Sequence, residues 1–154
     1  MTEQGKRKGI GGAASASVTR VPPGGKTSPE MSRKAMVYYL DMSFGDREGL
    51  ITSKNPETCT PEQAAFFKEM FTGADYKENY TILNNYVKSL GDNIPPFIHL
   101  YIGLSPTMKT FGTTFDPDFG DCYDTAMIIT AKDIYPDKYK RYMESYEKCK
   151  ERKR

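Results

Sequence analysis

The run FIHLYIGL, Phe97 to Leu104, follows Pro95-Pro96, is almost continuously apolar and has the length of a strand. Such a run is consistent with a strand at the centre of a sheet, covered on both faces. Its surroundings extend the reading. TMKTFGTTF, Thr107 to Phe115, is rich in β-branched and aromatic residues, and Gly112 inside it marks a bulge or bend. TAMIIT, Thr125 to Thr130, makes a further short strand. Upstream, Val37, Tyr38, Tyr39 and Leu40 form a short β-prone run ending near Gly45-Asp46, with Leu50-Ile51-Thr52 as a hairpin partner.

The helices carry clearer signals. In CTPEQAAFFKEMFTG, Thr60 is placed as an N-cap, Pro61 at the first helical position and Gln63 to complete a capping box. Ala64, Phe67, Met70 and Phe71 share one face, and Gly73 supplies the stop. A second helix starts at Asp75, with Glu78 in the same capping relation. Tyr76, Tyr80, Leu83, Val87 and Leu90 repeat as one apolar stripe that Gly91 ends. The short connector predicts an αα-hairpin. A last helix is predicted from about Pro136 to Lys150. Its side of Tyr135, Tyr139, Tyr142, Met143, Tyr146 and Cys149 is expected to face the core, with Lys138, Arg141, Lys148 and Arg152 opposite.

The order is therefore strand, αα-hairpin, three strands and a C-terminal helix. This is an α+β fold, with one antiparallel or mixed sheet and helices on a face. The 154 residues suit one small domain. Residues 1–34 read as a disordered basic arm rich in Gly, Ser and Pro, 35–150 as the compact domain, and 151–154 as a basic tail. As coarse topology, the element order is similar to the front half of an acetyltransferase of the GNAT type. That resemblance implies a glycine-rich Q/R-x-x-G-x-G/A loop after TAMIIT, offering N–H groups to a pyrophosphate. The segment there, AKDIYPDKYKR, has no glycine and two acids, so no family is identified.

Charge is segregated beneath a net +2. In residues 1–34, Lys6, Arg7, Lys8, Arg20, Lys26, Arg33 and Lys34 stand against two glutamates, a net of +5. Residues 138–154 carry eight Lys/Arg against three glutamates, again +5, which leaves −8 for the middle. Basic ends enclose an acidic body, a property that bears on partners. No apolar run approaches the roughly 20 residues of a membrane span. Cys59, Cys122 and Cys149 are odd in number and far apart, which favours a reducing, intracellular setting, cytoplasmic or nuclear.

The glycine-rich GIGGAA, Gly9 to Ala14, lacks the βαβ context of a dinucleotide site, and GGKT, Gly24 to Thr27, lacks the first glycine of a P-loop. FDPDFGDCYD, Phe115 to Asp124, gathers Asp116, Asp118, Asp121 and Asp124. Counted from Asp116, it misses the calcium-loop pattern at positions 5, 6 and 12, although Asp116 and Asp118 could serve a Mg²⁺ ion. Turn chemistry is the simpler reading. Cys122 has only His99 to draw on as a base, and its neighbouring aspartates are expected to raise the thiol pKa.

From sequence, then, the expectation is a non-catalytic interaction or assembly protein without cofactor or metal. Its body would dock a protein partner or a second copy, its basic termini would hold something anionic, and the four aspartates would meet cations of a tail or partner. Two alternatives remain: a nucleic-acid-binding accessory protein using the basic arms on RNA or DNA, and a carboxylate- or metal-dependent enzyme using the 116–124 loop.

Overall fold

The computed structural model describes residues 13–17 and 28–151. Helix α1 (Ser28–Phe44) is followed by α2 (Pro61–Met70), α3 (Tyr76–Ser89) and the short α4 (Pro96–Ile102). Strands β2 (Lys109–Asp116) and β3 (Cys122–Ile128) form an antiparallel hairpin, and β1 (Ala13–Ser17) pairs antiparallel with the other side of β3. The sheet order is β1-β3-β2. The class is α+β, as expected, with fewer strands in its body and more helix.

Two segments read as strands are helices. Val37 to Leu40 lie within α1, whose residues Ser32 to Val37, Tyr39 and Leu40 are all buried. A helix enclosed on most of its circumference has no polar face, so its sequence shows no 3.6-residue period. Gly45 ends it, and here only glycine fits, because a Cβ would lie 2.3 Å from the Asp41 carbonyl oxygen. The segment Leu50-Ile51-Thr52 is not in a strand either. FIHLYIGL is mostly α4. Pro96 takes the first helical position, and Ile98 and Ile102, four residues apart, insert into the core. Phe97 and Leu100 point outward, and their apolar character is what hides the helical period in the sequence.

Both helices of the expected αα-hairpin form, joined by residues 71–75. Thr60 and Gln63 complete their capping box, with Gln63 N–H donating to Thr60 Oγ1 at 3.2 Å and Thr60 N–H to Gln63 Oε1 at 3.0 Å. Asp75 caps α3 by accepting from the N–H groups of Lys77 and Glu78. Phe67, Leu83 and Val87 are fully buried against Met36, Tyr39 and Ile98 in one core. Gly112 does mark a bulge: the β2–β3 register shifts between Thr110 and Thr113, and Gly112 has φ +86°.

The C-terminal helix is interrupted. A π turn, Lys140–Glu144, separates α5 (Pro136–Tyr139) from α6 (Ser145–Glu151). Tyr139, Tyr142 and Tyr146 are exposed, contrary to the expectation that they enter the core.

The expected boundary at residue 34 falls inside α1. The rest of the expected arm, apart from the strand Ala13–Ser17, lies outside the described residues, as do residues 152–154. No helix among the described residues is long and apolar enough to cross a membrane.

Candidate functional site

Between α1 and α2 the chain runs as a strap, residues 45–58, along β2. Its first anchor is at Asp46, whose N–H donates to the Thr110 carbonyl at 2.8 Å and whose carboxylate lies 3.6 Å from Lys109 Nζ. The same carboxylate accepts the N–H groups of Leu50 at 3.0 Å and Glu48 at 3.2 Å. Those bonds, Leu50's foremost, and the Lys109 ammonium hold the Asp46 carboxyl below its ordinary pKa, so this anchor is charged and intact at neutral pH. The second anchor follows the bulge. Glu57 N–H donates to the Thr113 carbonyl at 2.8 Å, and Phe115 N–H to the Asn55 carbonyl at 3.0 Å.

Glu57 also carries the densest charge cluster among the described residues. Its Oε1 accepts from Arg33 Nε at 3.0 Å and from Lys34 Nζ at 2.9 Å, and all three side chains are nearly buried. Lys34 Nζ also donates to the Thr58 carbonyl, and the Arg33 guanidinium lies 4.0 Å over the Tyr123 ring of β3. The Cys59 thiol donates to the Lys34 carbonyl at 3.6 Å. The cluster thus ties α1 and the end of the strap to each other and to the sheet.

Bracing the strap at both ends leaves two clefts of about 440 Å³ each, within the size range of small-molecule sites. Ile51, Ser53, Phe111 and Gly112 line both. One cleft is acidic on one wall: Asp116, Asp118 and Asp124 line it, with Lys54 and Asn55 from the strap. The other is walled by Val37 and Tyr38 of α1, Cys59, Ala64 of α2 and Phe111, with Asp41 and Glu57 at hand. A Cβ placed on Gly112 would meet nothing within 4 Å, so the missing side chain keeps the shared wall low. The Ser53 hydroxyl is shut away from solvent without a hydrogen-bond partner, a defect costing about 1–3 kcal/mol that makes the strap's middle its weaker part.

The structure scatters the residues singled out from sequence. Lys6, Arg7, Lys8, Arg20, Lys26 and Arg152 lie outside the described residues. Arg33 and Lys34, expected to be offered to an anionic partner, are buried and committed to Glu57. Lys148 is exposed on α6, Lys138 is 3.9 Å from Asp137, and the Arg141 guanidinium sits 5.6 Å from the Tyr142 ring centre. Asp116, Asp118 and Asp124 do meet at one cleft, while Asp121 is exposed at the hairpin turn with φ +53°. Among the described residues no three His, Cys, Asp or Glu side chains are grouped as metal donors. His99 is exposed on α4, against the Tyr80 ring, and the Cys122 thiol donates instead to Asp124 at 3.8 Å. Sequence reasoning missed the strap and Glu57; the pairing of Glu57 with Arg33 spans 24 residues, that with the adjacent Lys34 one fewer, and neither leaves a local pattern.

Burial, then the Asp124 and Asp116 carboxylates, push the Cys122 thiol above its ordinary pKa, and burial does the same to Cys59 against a smaller opposing effect of Lys34. Cys149 is exposed. A raised pKa delays the thiolate to higher pH, so at pH 8 Cys149 will react with a disulfide reagent about tenfold or more faster than the other two. The rates of Cys59 and Cys122 will climb only as pH rises further, and unfolding in urea will erase the difference. Peptide mapping of the alkylated protein reads this directly, and early labelling of Cys122 would contradict it.

Comparison with known proteins changes the functional picture. The chain is 39% identical over 116 residues to a protein of Phocaeicola vulgatus named glycine N(alpha)-acyltransferase, matching 75% of this chain and 35% of that one. It is 38% identical over 117 residues to a protein of the same name from Bacteroides thetaiotaomicron, matching 74% of this chain and 34% of that one. The chain thus spans about a third of the length of the curated relatives it matches. No protein-family model and no solved structure matches it. Similarity of this extent to proteins named for acyl transfer points to an enzyme. It overturns the expectation of a non-catalytic, protein-binding structural or assembly component, and nothing found supports nucleic-acid binding.

Proposed function

We propose that this chain belongs to an acyl-transferring enzyme that acylates the amino group of glycine or a similar small amino acid. The identity to the two acyltransferases carries this reading. The paired clefts are consistent with it. An amino-acid zwitterion presents a cation and an anion, and the acidic cleft offers Asp116, Asp118 and Asp124 to the first and Lys54 to the second. The adjoining cleft offers apolar walls to an acyl group.

The reaction is amide formation from an activated donor, here taken as a thioester. Glycine's ammonium loses one proton, and the neutral nitrogen attacks the acyl carbonyl carbon. A C–N bond forms and the C–S bond breaks. The nitrogen sheds a second proton, the departing thiolate takes one up, and one proton is released overall. In this reading, carboxylates beside the nitrogen draw the ammonium in and take up its proton.

The test is to incubate the purified full chain with glycine and a series of acyl thioesters and to follow products by mass spectrometry. N-acylglycine that depends on protein and on both substrates is the expected result. A folded chain, by circular dichroism, that yields none from any donor overturns the proposal.

A further inference from the structure

The two clefts share a wall but differ in lining, and that difference assigns a role to one strap residue. Resting on the reading above, we propose that the apolar cleft takes the hydrocarbon of the acyl donor, and that Ile51 sets the length of chain it accepts. Val37 and Tyr38 come from α1, Ala64 from α2 and Phe111 from β2, three elements of the braced body. Ile51 alone among the large apolar residues of the lining sits in the strap's unanchored stretch, where it is 52% exposed.

The position of Ile51 is what gives it leverage. It lines both clefts, as do Phe111 and the bare backbone of Gly112, so it belongs to the wall that the apolar and the acidic half share. The bulge keeps Gly112 at φ +86°, a conformation that other residues adopt only with strain, and no side chain rises there to close the gap. Ile51 is therefore the adjustable partition. An acyl chain lying along Val37, Tyr38 and Phe111 leaves water one methylene at a time, each strengthening binding about fourfold until the partition is reached. The buried charges nearby do not oppose this, because Glu57 is already neutralised by Arg33 and Lys34. A second apolar patch, Phe97 and Leu100 on α4, lines neither cleft.

Two measurements on the full chain test the assignment. In the first, kcat/KM is measured for butanoyl and dodecanoyl thioesters with the parent, Ile51→Trp and Ile51→Ala. The long-to-short ratio is expected to fall at least tenfold in Ile51→Trp and to rise severalfold in Ile51→Ala. Ratios within twofold of the parent in both variants overturn the role of Ile51 while leaving the acyltransferase reading standing. In the second, a fatty acid with a diazirine near its tail is photolysed with the protein and the labelled peptides are sequenced. Labelling of Ile51, Val37 or Phe111, reduced in Ile51→Trp, supports the cleft; labelling confined to α4, or spread over the surface, overturns it. This measurement needs no turnover, so it decides the acyl cleft even where the parent makes no N-acylglycine and the wider reading has failed.

Discussion

Glu57→Gln will lower the stability of the fold by about 3–5 kcal/mol in urea denaturation at pH 7. The parent places two cations on a single carboxylate oxygen, at 3.0 Å and 2.9 Å, with the three side chains only 7–14% exposed. Removing the negative charge leaves both cations buried, and neither has an easy exit. Arg33 is stacked on Tyr123 and Lys34 is held by the Thr58 carbonyl. Desolvation then has no compensating attraction, which is why breaking a buried pair costs far more than forming it contributes. The double variant Glu57→Gln/Lys34→Met should recover part of the loss, because it removes one of the stranded charges. A cost below about 1 kcal/mol for Glu57→Gln would mean that the cluster is solvated and behaves as a surface pair. The damage will also be local. The Glu57 N–H bond to Thr113 closes the strap, so its amide should exchange faster even in the folded protein.

The parts of the fold legible in the sequence were those specified by neighbours in the chain. Thr60-Pro61 with Gln63, Asp75 as the cap of α3, and Gly112 within TMKTFGTTF each act within a few residues and do in the structure what their chemistry suggests, whereas Glu78 accepts from the N–H of Ala74 instead of closing a second capping box on Asp75. Val37 to Leu40 and FIHLYIGL failed for a different reason. Their apolar residues meet different surroundings on each side, burial all round in α1 and a bare outer face on α4, so composition carried no period. The proline pair before Phe97 and the four-residue spacing of Ile98 and Ile102 were the available signs of a helix.

The candidate site was less legible still. The acidic residues of FDPDFGDCYD were visible, but the strap that turns their surface into a cleft depends on Asp46 meeting Lys109 and Glu57 meeting Arg33, pairings across the fold. The basic residues illustrate the same limit: Arg33 and Lys34 count as +2 of an arm in the sequence and as buried partners of one glutamate in the structure. The segment AKDIYPDKYKR, lacking the glycine loop of a GNAT-type enzyme, folds as a 3-10 turn leading into α5. Acyl transfer therefore enters through likeness to whole proteins and not through a motif.

Phe67→Ala will cost about 3–5 kcal/mol, whereas Phe66→Ala, one residue earlier on α2, will cost about 1 kcal/mol or less. Phe67 has no exposed surface, and its ring touches those of Tyr38, Phe71 and Tyr86 at centroid distances of 5.6, 6.4 and 6.2 Å. Truncation removes those contacts and leaves a cavity between α1, α2 and α3 that stiff neighbours fill only in part. Phe66 is 47% exposed and edges onto the same cluster from outside, so its loss leaves no enclosed void. The pair also separates core from site. Tyr38 lines the apolar cleft, but it is also stacked on Phe71 at 5.9 Å and 8°, a contact that does not involve Phe67. Phe67→Ala should therefore melt earlier without changing the preference between short and long acyl donors, whereas Ile51→Trp should change that preference at little cost in stability. Similar urea midpoints for Phe67→Ala and Phe66→Ala would place the core elsewhere than between these three helices.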